Sequence, residues 1–333
     1  MDNTKQLNIE YFSLQSLFWM TYCMVVGFSV TYLLSCGYSN SEAGYILASA
    51  NICALILQPF FADLADRSKK INAMTIFLVS IEIIFVCSIG LFFIGVRSLI
   101  LTLIYVVMIT LANAVIAFLT SIQFLMDTSK SKINFGLCRA GGSLCFAILS
   151  ALMGIMIERI GMKSIPLALF IITLLIIGLC IFITRHSING NIKAVLTLEK
   201  KRSSSLFVFL NENPRFMILS IAMLFIYYAH AFITNFTISI VRNVGGNHRE
   251  MGYLIAFMAL MELPGMIGFK EISSRFKVSS LLLFSMIMFS IKAIIVWLSP
   301  SLMTLTFGFA LQVVSFAIYI PASVQYANII IDE

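Results

Sequence analysis

One segment of this chain occurs twice, and that repeat constrains the fold more than any other feature. The segment Glu42–Lys70 recurs as Glu250–Lys277, and one offset of 208 positions aligns Gly44 with Gly252. Each copy opens with the residue pattern of a helix capping box, continues as an apolar helix and ends in an acidic residue followed by basic ones. The two caps are Ser39 with Glu42 and Asn247 with Glu250. Because this period is too long for a solenoid, the repeat predicts two related helical bundles.

The chain is too apolar for a water-soluble protein. Of its 333 residues, 60% are hydrophobic and 11% are charged, whereas soluble domains carry about 25% charged residues. Ten segments reach the length of about 20 apolar residues that a membrane-spanning helix needs. They lie at residues 11–36, 42–62, 71–95, 99–126, 136–157, 165–184, 216–241, 251–269, 278–298 and 302–329. The sequence therefore predicts an all-α membrane protein whose first span is an uncleaved anchor.

One long polar segment, Arg185–Arg215, separates six of these spans from the other four. It contains charged residues and a run of three serines, and its Leu206–Leu210 stretch predicts a short amphipathic helix. We therefore predict three parts. They are an N-terminal six-helix bundle (residues 1–185), a cytoplasmic linker (residues 186–213) and a C-terminal bundle of four helices (residues 214–333).

The second bundle is predicted to lack two helices that the first bundle has. Ser121–Phe124 in the fourth span recurs as Ser323–Tyr326 in the tenth, close to residue 333. The first bundle continues through two more helices beyond the matching point. By symmetry, about two helices are missing from the second bundle, and we expect this 333-residue form to transport poorly.

The basic residues predict the orientation of the chain. Most of the 22 Lys and Arg residues fall on one side of the membrane if the N-terminus is cytoplasmic, as the positive-inside rule requires. The anionic inner leaflet accounts for the net charge of +7, so no nucleic-acid partner is implied. We expect a multi-pass protein of the cell inner membrane.

Cofactor and enzyme motifs are not found in the sequence. The seven cysteines include no C-x-x-C pair, and the three histidines form no H-E-x-x-H motif. Walker A and G-x-G-x-x-G contexts are also missing. We therefore expect no metal, no cofactor, no catalytic residue and no enzymatic activity.

Several motifs resemble the major facilitator superfamily. Pro59–Arg67, followed by Lys69 and Lys70, resembles the loop between helices two and three of that family, with Ala62 where glycine is usual. Phe135–Gly142 resembles the start of helix five in the lactose-permease-like and phenylpropionate-permease-like proton symporters. The segment Ile287–Lys292 resembles their helix nine, and Glu262 lies near their helix-eight glutamate. This resemblance implies two bundles around a central cavity, alternating access, proton coupling and a monomer.

Five ionisable residues stand out in the predicted spans, where a charge costs several kcal/mol unless it faces protein or water. They are Glu82, Arg139, His230, Glu262 and Lys292. Arg139 either grips an anionic or hydroxylated substrate or extends to the inner headgroups. Glu262 and Lys292 are predicted to form an ion pair, which either responds to a proton or is static. His230 is the alternative proton carrier, and Glu82 is read as structural.

Polar stripes with helical spacing follow three of the spans. They contain Thr110, Asn113 and Thr120; Tyr227, His230, Thr234 and Thr237; and Gln312, Ser315 and Tyr319. Such stripes turn away from lipid, either to join helices or to line a substrate cavity. Phe146 shares the face of Arg139 and either stacks on a ligand or packs in the core.

We assign predicted roles to these residues as follows. The substrate-binding residues are Arg139, Phe146, Asn113, Tyr227, His230, Gln312 and Ser315. The proton-coupling residues are Glu262, Lys292 and His230, and the cytoplasmic gate consists of Asp63, Asp66, Arg67, Glu271 and Arg275.

The sequence thus favours a secondary active transporter for a small polar or anionic solute, of the sugar, nucleoside or organic-acid class, moved by proton symport. Its partners are the solute, protons and membrane lipid. Two alternatives remain open. One is drug efflux by proton antiport, and the other is a non-transporting sensor or decayed transporter, because two helices are expected to be missing.

Overall fold

The computed structural model describes residues 3–68, 71–127, 132–188 and 213–332. The chain divides into two compact units, Met1–Leu198 and Glu199–Glu333. The predicted linker, its amphipathic Leu206–Leu210 stretch and the basic residues Lys69, Lys70 and Lys130 lie wholly or mostly outside the described residues. The predicted domain boundaries and the linker helix therefore remain predictions.

The first unit is helical throughout its described part. Its elements are α1 (Asn3–Tyr22), a π-helical turn (Cys23–Gly27), α2 (Ser29–Ser35), α3 (Asn40–Arg67), α4 (Ala73–Phe93), α5 (Leu99–Ala114), α6 (Phe118–Met126), α7 (Phe135–Ile160), α8 (Ser164–Ile183) and a second π-helical turn (Thr184–Ile188). The α1–α2 pair and the α5–α6 pair are each bent at a short break, by 40° and 47°, and each pair is long and apolar enough to form one broken span or a re-entrant loop.

The second unit repeats this order. Its elements are α9 (Pro214–Asn235), α10 (Thr237–Asn243), α11 (His248–Arg275), α12 (Val278–Leu298), α13 (Leu302–Ala310), a 3-10 turn (Leu311–Val313) and α14 (Phe316–Asp332). Within the described ranges, 8 helices are long and apolar enough to cross a membrane, or up to 10 spans if each bent pair counts as one. The predicted all-α membrane fold is confirmed.

The duplication is visible in the helix caps. Ser39 accepts the Glu42 N–H at 3.2 Å, and the Glu42 carboxylate accepts the Ser39 N–H at 2.9 Å. In the second unit, Asn247 accepts the Glu250 N–H, and the Glu250 carboxylate accepts the Asn247 N–H at 2.9 Å. Both predicted capping boxes are therefore formed.

The backbone itself repeats with the same offset. Phe28 ends the π-helical turn with φ −104°, and its equivalent Phe236 separates α9 from α10 with φ −99°. Gly37 and Gly245, which are also 208 positions apart, adopt φ values of +93° and +82°. Glycine populates this left-handed region without the cost that a Cβ imposes. The two units thus enter their second spans through the same turn.

Glycines allow close helix contacts in each unit. In the first unit, a Cβ built on Gly142 would lie 2.6 Å from the Trp19 ring, so α7 lies directly against α1. In the second unit, a Cβ on Gly265 would lie 2.6 Å from both the Val313 carbonyl oxygen and the Ala317 Cβ. Such close approach supplies the van der Waals packing that joins helices in lipid.

Candidate functional site

A fully buried lysine lies at the centre of the second unit. Lys292, on α12, is 0% exposed, and its ammonium donates a hydrogen bond to Oε1 of Gln312. The ring centroids of Phe289 and Phe309 lie 5.4 and 5.7 Å from the ammonium nitrogen. Aromatic faces attract a cation electrostatically. A carbonyl oxygen and two rings therefore offset part of the cost of burying this charge.

Gln312 connects this lysine to Glu262, a partly buried acid on α11. Its Nε2 donates to Oε1 of Glu262 at 2.7 Å, while its Oε1 accepts from Lys292. The negative end of the amide thus faces the cation, and the positive end faces the carboxylate. The structure brings together the two residues predicted to form an ion pair and places between them a glutamine predicted to bind substrate.

Local backbone features bring these side chains within reach of one another. Helix α13 ends at Ala310, and Gln312 lies on the 3-10 turn that follows. Gly265 lies one turn after Glu262 on the same face of α11, and it allows that helix to rest on the backbone of Val313. The close approach of α11 therefore places the Glu262 carboxylate beside the broken helix.

An aromatic cluster lies on the neighbouring helices of this unit. The His230 ring stacks on Phe316 with centroids 3.6 Å apart and an interplanar angle of 5°. Tyr227 meets Phe316 and Tyr319 edge-on, at centroid distances of 5.6 and 5.8 Å. Three residues of two predicted stripes, on α9 and α14, thus meet in one cluster.

Polar atoms around this cluster have no partner. Among the described residues, Nδ1 of His230, the Ser315 hydroxyl and the Tyr319 hydroxyl are buried without a hydrogen bond. Buried polar atoms in proteins are almost always paired, with protein, water or ligand. By contrast, Thr234 and Thr237 donate to backbone carbonyls of their own span, at 2.8 Å in each case. These threonines are satisfied locally, whereas the three unpaired groups are suited to an exogenous polar partner.

Arg139 lies in the first unit, against α1. Its Cζ is 3.9 Å from the centroid of the Trp19 ring, and its Nη1 donates to the Ser143 hydroxyl at 2.9 Å. Phe146, on the same helix, lies beside the π-helical turn: a Cβ built on Gly27 would be 3.9 Å from the Phe146 ring. On α7, Arg139 therefore contacts α1 and Phe146 contacts the π-helical turn that follows α1, both within the first unit.

Asn113 joins three spans of the first unit. It accepts a hydrogen bond from the Tyr22 hydroxyl and donates one to Asn51, both at 3.0 Å. Thr110, one turn earlier, donates to the Ala50 carbonyl at 3.0 Å. These bonds favour a helix-joining role for this stripe over a substrate-binding one.

The predicted gate residues lie at helix ends. Arg67 and Asp63 form an ion pair at 2.6 Å within α3, and both side chains are exposed. Asp66, Glu271 and Arg275 are also exposed. The pair within α3 is the ordinary i,i+4 contact of a helix surface, and the predicted contacts between helices remain a prediction.

Sequence reasoning missed two polar features of α1. Glu10 is 5% exposed and accepts a hydrogen bond from Gln6 at 2.9 Å. Trp19 donates to Gln15 at 3.0 Å, and Gln15 donates to the Tyr11 hydroxyl at 2.8 Å. The four-residue spacing of these side chains was the available signal.

Glu82, on α4, is exposed at the surface of its unit. In the described part of the chain, no group of three or more side chains could hold a metal ion.

Two related helical units with broken membrane-spanning helices and buried charges define a polytopic membrane protein of major-facilitator architecture. The chain belongs to the MFS_1 like family, whose model matches residues 7–332. The resemblance inferred from the sequence motifs is therefore confirmed. No curated protein sequence matches the chain.

Solved transporter structures share this fold. A point mutant of the nucleoside transporter NupG superposes with a TM-score of 0.77 at 14% identity, covering 98% of this chain and 82% of that one. A bacterial homologue of the human lysosomal transporter Spinster gives 0.63 at 14% identity, with 99% and 78% covered. A D-xylose–proton symporter gives 0.62 at 12% identity, with 96% and 87% covered. At these identities the comparison establishes the fold alone.

Proposed function

We propose that this protein is a secondary active transporter that carries a small polar or anionic solute by alternating access, coupled to proton symport. We place it in the cell inner membrane as a monomer, with its N-terminus in the cytoplasm. The observation that carries the proposal is the network of Glu262, Gln312 and Lys292 inside an apolar bundle. Charged groups at membrane depth are costly and mark ion and substrate pathways.

Glu262 is the proposed proton carrier. As a carboxylate it receives the N–H of Gln312 and lies in the field of Lys292. Burial disfavours the charged form of an acid, whereas a nearby cation favours it. A small change in the distance between these helices therefore shifts the balance and lets the acid take up or release a proton. His230 is the alternative carrier, and its ring is stacked on Phe316.

The unpaired groups of the second unit indicate which solutes would bind there. The hydroxyls of Ser315 and Tyr319 and the Nδ1 atom of His230 offer donors and acceptors without net charge, beside aromatic rings. Such groups suit a hydroxylated or heteroaromatic solute, such as a sugar or nucleoside, better than a carboxylate. An organic acid would need a cation, and Arg139 is the candidate for that role.

Proton movement that depends on solute tests this proposal. The purified chain is reconstituted into liposomes that contain a pH-sensitive dye, and uridine, D-xylose or D-gluconate is added outside. Symport predicts that the lumen acidifies with at least one solute and that empty liposomes show no such response. Alkalinisation would indicate antiport instead. Solute binding without any flux would contradict transport and favour a sensor.

A further inference from the structure

Gln312 is held at both ends of its amide by opposite charges. The side chain is 0% exposed, with its oxygen on the Lys292 ammonium and its nitrogen on the Glu262 carboxylate. Rotating the amide by half a turn would face its oxygen to the carboxylate and its N–H groups to the ammonium. The charges therefore fix one orientation of this side chain, and that orientation depends on both of them.

The same residue lies on the break in the tenth span. The 3-10 turn Leu311–Val313 interrupts the helix, and the N–H groups of Val314 and Ser315 both bond to the Leu311 carbonyl, at 3.2 and 3.0 Å. The backbone of α11 at Gly265 rests on the carbonyl of Val313. Residues 311–315, which we call the break segment, are therefore held by a backbone contact on α11 and by the side chain of Gln312.

We propose that Gln312 is a positioning residue that couples the charge on Glu262 to the order of the break segment. With Glu262 ionised, the bond from Gln312 is charge-assisted. When Glu262 carries a proton, the bond is between neutral groups and weaker. One of the contacts that hold the break segment is then weakened. Its place in a transport cycle rests on the proposed function, but the coupling itself requires no transported solute.

Other titratable groups of the second unit lie on the helices that form this network or pack against them. Lys292 on α12 lies in the electrostatic field of Glu262, and His230 on α9 lies in that of Lys292. Tyr319 on α14 contacts the Tyr227 ring on α9. At the start of α11, Arg242 of α10 approaches His248 at 3.2 Å. The two hydrogen bonds of the Gln312 amide join Lys292, and not these other groups, to Glu262.

Hydrogen exchange of the break segment tests the coupling. Glu262→Gln replaces the carboxylate with a neutral group of the same shape, and exchange is followed by mass spectrometry on peptides that cover residues 311–315, with the full chain in detergent micelles. We expect about fivefold lower protection in this variant, because a hydrogen bond to a charged group contributes about 1 kcal/mol more than a neutral one, which is about fivefold in an equilibrium constant. The variant Gln312→Met removes the connection, so adding Glu262→Gln to it should change protection no further.

Gln325→Met is the matched control, because Gln325 is an exposed glutamine on the same span. In that background, the effect of Glu262→Gln should persist in full. If Gln312→Met does not fold, Gln312→Asn keeps the amide and shortens it by one methylene, so it cannot reach both charges. Equal effects of Glu262→Gln with and without Gln312 would overturn the proposal. Because no solute is present, this result is independent of whether the protein transports.

Discussion

The imidazole of His230 lies parallel to the ring of Phe316, with centroids 3.6 Å apart. In the first unit, the equivalent position is Tyr22, 208 residues earlier, and it is hydrogen-bonded to Asn113. Asn113 and Phe316 each lie 15 residues after the serine that caps their helix, Ser98 or Ser301. The same contact between helices is therefore a hydrogen bond in one unit and a ring stack in the other.

This exchange leaves the second unit with an unpaired ring nitrogen, Nδ1 of His230. The variant His230→Phe keeps a ring against Phe316 and removes the unpaired atom. We expect its stability to equal or exceed that of the wild type, because an unsatisfied buried polar group costs about 1–3 kcal/mol, while uptake of the transported solute falls. Thermal unfolding in detergent and uptake in liposomes measure the two effects. Loss of stability together with retained uptake would mean that the histidine is structural.

The contact of Gly265 with the broken helix predicts a large effect of one methyl group. Gly265→Ala would push a Cβ to 2.6 Å from backbone and side chain of the tenth span, and overpacking costs about 1–3 kcal/mol. Gly268→Ala, on the same helix, has its nearest neighbour at 3.8 Å, the flexible end of Ile272. There alanine should be neutral or stabilising, by up to about 1 kcal/mol. Equal effects at both positions, measured by unfolding in mixed micelles, would contradict the observed packing.

The buried ammonium of Lys292 predicts strong coupling between two substitutions. Gln312→Leu removes the carbonyl that accepts from Lys292, and leaving a buried charged donor without its acceptor costs at least about 1–3 kcal/mol. Adding Lys292→Met removes that charge, so the double variant should be more stable than the sum of the single effects predicts. A double-mutant cycle in the free energy of unfolding checks this, with Gln325→Leu as the exposed control. Strict additivity would show that the two side chains do not interact.

The stack of Arg139 on Trp19 predicts different roles for the two tryptophans. Trp19→Leu removes a cation–π contact worth about 0.5–2 kcal/mol and the hydrogen bond to Gln15. Trp297 is 81% exposed on the surface of its unit, so Trp297→Leu should leave the thermal midpoint nearly unchanged. A midpoint lowered equally by both substitutions would contradict the contact.

Sequence patterns were sufficient for the repeat, the spans and both capping boxes, because each depends on local spacing. They were insufficient for the helix breaks. Pro59, Pro264 and Pro321 all lie inside continuous helices, while the tenth span breaks at Leu311–Val313, where there is neither proline nor glycine. Neighbouring helices in a membrane bundle satisfy the backbone groups that a proline frees, so packing decides where these helices break.

The candidate site was only partly predictable for the same reason. Helical spacing placed Gln312 and Ser315 on one polar face, and the cost of buried charge singled out Glu262 and Lys292. Spacing within one helix does not reveal partners on another, so the position of Gln312 between the two charges required the packing of α11 against the break. Glu10 escaped notice because the first residues of the chain are polar in composition, although the side chain is buried.

The measurement that tests the account most directly separates solute exchange from proton-driven accumulation in Glu262→Gln. Liposomes loaded with a transported solute report exchange across the membrane without a proton gradient, and an imposed gradient then reports accumulation. Glu82→Gln, at an exposed position on α4, serves as the control. The account predicts that Glu262→Gln still exchanges solute but no longer accumulates it, while Glu82→Gln does both. Unchanged accumulation in Glu262→Gln, with the same dependence on external pH as the wild type, would contradict it.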